Sequence, residues 1–544
     1  MLDLNPHAAS LVDKFYGGIS QFEEACSTFS GGDIELEKRM MGYIQKKWLM
    51  FSSPVLSNTK QGLPISCFIS YVGDTVKDLV EHQSEYAFLS VNGGGVGAAW
   101  SDVRSPDKKS GGIVPFLKVM NSSQEAFKQL SIRKGSYAAY LDATHPEIMD
   151  FIGLRTPQGD MSRKCLDMNL GVNLTHDFMR AVQQNKDIEL VDPKWGSAGQ
   201  IAAREIWYHL LETRFKTGEP YLCFIDTANE KMNKMQRDKG LKIRGSNICS
   251  EIFLPIDDKR SCVCCLSSLN LEKWDEWCGE AEQVVGDLVT FLDNVLTIFI
   301  DRCPDEMHKA RYSAMMERSI GIGAMGWHSL LQKKGIPFES ALAIGLNKKI
   351  FRIVKEAAVK SSLRLGAERG EPEDLKGSGM RNAHLLAIAP NANSSVLCGT
   401  SPSIEPWSSN WFVHRSRAGA FEERNMYLEQ LLDKKGLSWE LVKEGQGSVA
   451  HLTKDLSDLE RNIFKVSTEI DQRRLVQLAA DRQEWVCQGQ SVNLFFANGT
   501  SRKYFQDVHL LAWELGLKSL YYCRVDPKVN VSFDQNKSCV SCEG

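Results

Sequence analysis

Three short strings in this 544-residue chain place residues that could do chemistry together. In residues 244–255, RGSNICSEIFLP, Asn247, Cys249 and Glu251 fall at i, i+2 and i+4. An extended backbone would turn all three side chains to one side, setting a reactive sulfur between an amide and a proton acceptor. The same string also fits an ordinary strand with a buried cysteine and two solvated polar residues. In residues 260–274, RSCVCCLSSLNLEKW, Cys264 and Cys265 are adjacent and cannot easily bridge each other, so a redox role needs a partner elsewhere. Cys262 and Cys265 form a C-x-x-C, which is also half of a zinc site. The third string, KSCVSCEG, puts Cys539 and Cys542 at the end of a stretch with almost nothing apolar to bury. Vicinal thiols on such a tail suit disulfide exchange, which needs in-line approach to a distant pair. The competing reading joins them to Cys262 and Cys265 as a four-cysteine zinc centre.

Three weaker signals accompany these. Tyr521-Tyr522 follows the apolar stretch HLLAWELGLKSL, and a tandem pair alone usually means packing on a strand. APNANSSVLCGTSPSIEP, residues 389–406, reads either as a Ser/Asn-capped loop or as a helix start whose free N–H groups would hold a phosphate. NGGGVGAAWSDVRS, residues 92–105, mimics a dinucleotide fingerprint, but the segment before it reads as helix. The strand–turn–helix context is missing, so the glycines are expected to form a close-packed loop.

The elements that must carry these groups alternate. Short apolar runs such as Val55-Leu56 and Cys67-Phe68-Ile69 are interleaved with helical windows at 74–91, 202–216, 281–301 and 341–368. That order predicts an α/β protein with a substantially parallel sheet. Residues 1–50 read as a short helical region, 51–522 as the main body and 523–544 as a flexible tail. A net charge of −3 argues against a nucleic-acid-wrapping surface but not against a nucleotide site. Residues 284–300 are apolar but interrupted by Asp287, Asp293 and Asn294, which points to a buried helix rather than a membrane span. The first twenty residues lack a secretory pattern, so the cytoplasm is expected. Fifteen cysteines fit no secreted disulfide framework. Cys26, Cys165, Cys223, Cys303, Cys398 and Cys487 are expected to be small buried hydrophobes.

Taken in order, FSSPVLSN (51–58), ISCFIS (65–70), the glycine-rich stretch, RGSNICSEIFLP, CCLSSLNL (264–271), the Asn/Ser loop, LYYCRV (520–525) and the terminal C-x-x-C resemble the large subunit of class I ribonucleotide reductases. The resemblance runs from about residue 51 to the end. It implies a ten-stranded α/β barrel with a central finger loop, and reduction of ribonucleotides, with diphosphates the expected form, to 2′-deoxyribonucleotides by thiyl-radical chemistry. By that resemblance Cys249 is the radical cysteine, Glu251 takes the 3′-hydroxyl proton and Asn247 hydrogen-bonds the sugar. Cys67 and Cys264 are the reducing pair, Cys264 being preferred to Cys265 because it lies two residues before the leucine of LSSLNL. Tyr521 and Tyr522 relay the radical from a metal-containing small subunit. Cys539 and Cys542 re-reduce the buried disulfide and then meet thioredoxin or glutaredoxin.

The resemblance further implies substrate contacts at Ser53, Ser66 and Asn391, Ala392, Asn393, Ser394 and Ser395. It implies a nucleoside triphosphate effector site using Asp74 and Arg104, and a homodimer. No metal or other cofactor held by this chain is implied. Two departures stand out. A Glu-Thr pair of the family is replaced by Ala392-Asn393, and the loop after Arg104 is short, so that a second arginine is either replaced by Lys108 or Lys109 or absent. Only about 50 residues precede FSSPVLSN, too few for an N-terminal ATP-cone, so no dATP inhibition through such a site is expected. The rival readings are the adenosylcobalamin-dependent reductase class and a zinc-stabilised binding protein.

Overall fold

The computed structural model describes residues 3–127, 136–416 and 419–526. Its centre is a ring of extended segments. β1 (Cys67–Tyr71), β2 (Gly95–Ala99), β3 (Ser136–Asp142), β4 (Asn169–Leu174) and β5 (Tyr221–Phe224) run parallel in that order. β6 (Cys262–Asn270) lies antiparallel to β1 and parallel to β7 (Ile320–Met325). β7 bridges in parallel to Leu386, and Ile388 bridges in parallel to Gln490. Tyr521 N–H donates to Val492 O at 2.8 Å, and β8 (Ser519–Leu520) closes the ring antiparallel to β5. Eight strands and two bridged segments thus make two parallel halves pointing in opposite directions, the barrel expected from the resemblance.

Strands buried on both faces need apolar side chains on both, which is why residues 137–141 of β3 and all of β5 show no polar alternation. Helices cover the outside. The Val76–Val91 helix starts at a capping box between Thr75 and Asp78, which satisfies two otherwise orphaned end groups. The Ala281–Arg302 helix has the length and hydropathy of a membrane span, yet Val284, Leu288, Leu292, Val295 and Phe299 pack into the main core. Its polar interruptions are used: Asp287 accepts from Arg39 at 2.7 Å, and Asp293 pairs with Arg318 at 2.7 Å. All four expected helical windows are helices.

The expected N-terminal helices are present, and two other expectations change. The N-terminal helices Ser20–Phe29 and Ile34–Gln45 put Phe22, Phe29, Met40 and Ile44 into the same core as the barrel helices. The glycine-rich stretch is not a loop but strand β2, following a helix as expected. Cys523–Val525 is a strand parallel to Leu494–Phe496, so the body extends past residue 522. Cys539 and Cys542 lie outside the described residues.

Candidate active site

Residues 244–255 enter the barrel as a finger. β2 admits them because it is glycine at the crossing point: a Cβ on Gly97 would stand 1.9 Å from Ser246 O. The tip is a tight turn rather than the expected extended segment. Ser250 N–H donates to Asn247 O at 3.2 Å, and Ser250 has φ 61°, a left-handed conformation. Asn247 Oδ1 folds back to accept from Glu251 N and Ile252 N, both at 3.1 Å. Asn247, Cys249 and Glu251 are therefore brought together by a turn, not by strand alternation.

The barrel wall fixes that turn from several sides. Tyr140 OH donates to Asn247 O at 2.7 Å, and burial pushes its phenol pKa far up, keeping the proton in place. Ser491 Oγ donates to Cys249 O at 2.6 Å and lies 3.3 Å from Glu251 Oε2. Gly489 N–H donates to Glu251 O at 2.7 Å, and Ser519 Oγ to Ser250 O at 2.7 Å. Asn247, Cys249 and Glu251 are each 1% exposed. Asn247 Nδ2 has no partner among the described residues, and a buried orphan donor costs about 1–3 kcal/mol. A ligand hydroxyl would satisfy it.

Cys67 and Cys264 stand opposite each other in the antiparallel β1–β6 register. Opposed residues in such a pair have Cα atoms about 4.5–5.5 Å apart, inside the ~4.4–6.8 Å that a disulfide spans. Alternation along β6 separates the other candidates. Cys262 and Cys264 share an inner cluster with Cys67, Ile252 and Leu254, whereas Cys265 belongs to the outer core. Cys262 and Cys265 thus face opposite ways and cannot clasp one zinc ion, which removes half of the four-cysteine reading. Burial drives the Cys264 thiol pKa far above its ordinary value, and neighbouring Cys67 adds to this. The amide of Gln488 opposes them: its Nε2 lies 3.5 Å from Cys264 Sγ. Gly321 leaves the room this sulfur needs, since a Cβ there would come within 3.0 Å of it.

Tyr521 shares an apolar cluster with Cys249, Tyr140 and Tyr221. Tyr521 is buried and Tyr522 half-buried, with ring centroids 4.4 Å apart. Tyr221 packs against both, at 4.8 and 5.0 Å, and Asn169 Nδ2 donates to the Tyr522 phenol oxygen at 3.0 Å. The rings form a contiguous path from a partly exposed position towards the finger.

The phosphate-loop candidates are arranged differently. Ala392–Cys398 is a helix, and the N–H groups of Ala392, Asn393 and Ser394 have no partner within it. The side chains are mostly committed elsewhere. Asn391 accepts from Ser268 Oγ at 2.8 Å and donates to Ala324 O and Ala389 O. Ser395 Oγ donates to Ala392 O at 2.9 Å, and Ser394 Oγ to Phe51 O at 3.3 Å, which ties this loop to the Leu49–Phe51 strand. Asn393 Nδ2 is a buried orphan. Ser53 Oγ is 2.7 Å from Tyr16 OH, and Ser66 O accepts from Gly95 N at 2.7 Å. Away from these groups, Asp74 and Arg104 meet as an ion pair at 2.7 Å. Lys109 offers its backbone N–H to Asp107 at 2.6 Å.

Sequence reasoning missed Gln488, Ser491, Tyr140 and Tyr221. None carries a local signal, because each acts through a contact with a distant segment. Cys487 was also misread: it is half-buried, and its sulfur accepts from Leu385 N at 3.1 Å and Leu386 N at 3.3 Å. Burial raises its pKa, but Lys355, these N–H groups and Lys518 outweigh that and leave it lowered.

Comparison with known proteins converges on one family. The family model "Ribonucleotide reductase, barrel domain" matches residues 65–378 and 372–523. A frog virus 3 protein assigned as a ribonucleoside-diphosphate reductase large subunit is 47% identical over 562 residues, covering 99% of both chains. The ribonucleoside-diphosphate reductase large subunit of invertebrate iridescent virus 3 is 39% identical, covering 95% of this chain and 93% of that one. The solved class Id ribonucleotide reductase alpha subunit of Actinobacillus ureae superposes with TM-score 0.87 at 33% identity, over 96% of this chain and 97% of that one. The chain belongs to the ribonucleotide reductase large-subunit family.

Proposed function

We propose that this chain is the catalytic large subunit of a class I ribonucleotide reductase and converts ribonucleoside diphosphates to 2′-deoxyribonucleoside diphosphates. One juxtaposition supports this most. The segment 488–491 touches both chemical centres: Ser491 contacts Cys249 O and Glu251, and Gln488 contacts Cys264. A thiyl radical on Cys249 would take the 3′-hydrogen of the ribose, and Glu251 the 3′-hydroxyl proton, with Asn247 Nδ2 bound to the sugar. The 2′-hydroxyl then leaves as water, while Cys67 and Cys264 supply two hydrogens and become a disulfide. Enclosure keeps the radical from solvent and holds acid, base and sugar in reacting distance.

The chain's own residues fit delivery of the radical from a separate small subunit through Tyr522 and Tyr521. The class Id neighbour and the large-subunit relatives favour this over the cobalamin-dependent class. Ser53, Ser66 and the first turn at Ala392–Ser394 would hold the substrate, and Asp74 with Arg104 a nucleoside triphosphate effector. Cys539 and Cys542 would restore the dithiol and pass oxidising equivalents to thioredoxin or glutaredoxin, in a cytoplasmic homodimer.

The test is diphosphate reduction by the purified chain. Activity is expected only with a cognate small subunit, and added adenosylcobalamin should not replace it. Cys539→Ser should turn over with dithiothreitol and fail with thioredoxin alone. Activity with cobalamin and no small subunit would overturn the class I reading.

A further inference from the structure

The two sulfurs of the reducing pair are not equivalent. Cys67 is half-buried, whereas Cys264 is 2% exposed. The Gln488 amide meets the Cys264 sulfur, and its Nε2 also donates to Ile320 O at 3.0 Å. Turning that amide over would press its oxygen against the Ile320 carbonyl, so the N–H must face the sulfur. The backbone behind it is braced: Gln488 N donates to Leu386 O at 3.1 Å, and its carbonyl accepts from Gln483 Nε2 at 2.9 Å. Gln488 is itself fully buried.

A thiolate formed at Cys264 would be a buried charge, costly unless a donor meets it. A hydrogen bond to an ionised acceptor is roughly twice as strong as a neutral one. We propose that Gln488 is a catalytic residue of re-reduction, making Cys264 the leaving sulfur when an incoming thiolate attacks Cys67. This rests on the reading of Cys67 and Cys264 as the pair that becomes a disulfide. The incoming sulfur bonds to Cys67 Sγ, the Cys67–Cys264 bond breaks, and its electron pair stays on Cys264 Sγ facing the Gln488 N–H. The second thiolate of the dithiol reductant then attacks its partner sulfur and frees Cys67. The reductant ends as a disulfide, and both protein sulfurs take protons from solvent. The Gln488 N–H offsets part of the burial cost of a thiolate at Cys264, and the greater exposure of Cys67 to the incoming sulfur gives the exchange its direction.

The experiment uses the full chain with Cys539→Ser and Cys542→Ser, so that the tail cannot interfere, together with the small subunit. A single turnover without reductant loads the disulfide. 2-Mercaptoethanol is then added, free thiols are alkylated at once, and peptides are mapped by mass. The mercaptoethanol adduct is expected on Cys67 and the alkyl group on Cys264; an adduct on Cys264 overturns the proposal. Gln488→Leu and the isosteric Gln488→Glu should each slow reduction by dithiothreitol by about tenfold to a hundredfold, the equivalent of one charged hydrogen bond, with substrate KM unchanged. Wild-type rates in both variants overturn it as well. A first turnover that leaves no Cys67–Cys264 disulfide would instead sink the pair assignment, and the proposal with it.

Discussion

The finger turn and the phosphate loop are both short, polar and set against the barrel, yet they are built on opposite plans. At the finger, the backbone is pinned by Tyr140, Gly489, Ser491 and Ser519, leaving the side chains of Asn247, Cys249 and Glu251 to act. At the loop proposed to hold phosphate, the side chains of Asn391, Ser394 and Ser395 are spent on the protein, so that backbone N–H groups would be the donors. Bond-making chemistry needs particular atoms and so fixes residue identity. Anion binding by a helix start needs only a backbone path, and tolerates the Ala392-Asn393 replacement.

Substitutions that strike the two plans should therefore differ in size. Cys249→Ser should abolish turnover while leaving nucleotide binding intact, because no other described group can carry the radical there; measurable turnover would break the contrast. Gly97→Ala leaves every reacting atom in the chain but forces the finger backbone away from Ser246 O. An ångström of displacement at a reacting centre costs about a hundredfold, and kcat should fall by that order. Ser394→Ala removes only the hydrogen bond to Phe51 O, and KM should rise by less than about tenfold at unchanged kcat. A Ser394 effect as large as that of Gly97→Ala would show that the loop works through its side chains after all.

The same contrast explains what could be read in the sequence. The grouping of Cys249 with Asn247 and Glu251 was legible in the motif, but a turn rather than strand alternation brings the three together. The tip turns through Ser250 at positive φ, a conformation glycine would have advertised and serine does not. Cys264 was distinguished from Cys265 by its place in LSSLNL, and the β1–β6 register supplies the physical ground. Helices were legible through their period. β2 was not, since Gly95-Val96-Gly97-Ala98-Ala99 has the composition of a loop and becomes a strand only between two neighbours that pair with it. Gln488 and Ser491 left no trace: a polar residue that serves one distant atom has no spacing to betray it.

The central claim is that the sulfur at position 249 takes a hydrogen atom from the 3′-carbon of a bound ribose. Competition between unlabelled and 3′-deuterated ribonucleoside diphosphate, with the small subunit present and the residual substrate followed by mass spectrometry, tests it directly. The unlabelled sugar should be consumed faster, so that the remaining pool grows richer in deuterium as the reaction proceeds. A pool whose isotope ratio never changes would contradict hydrogen abstraction at that carbon.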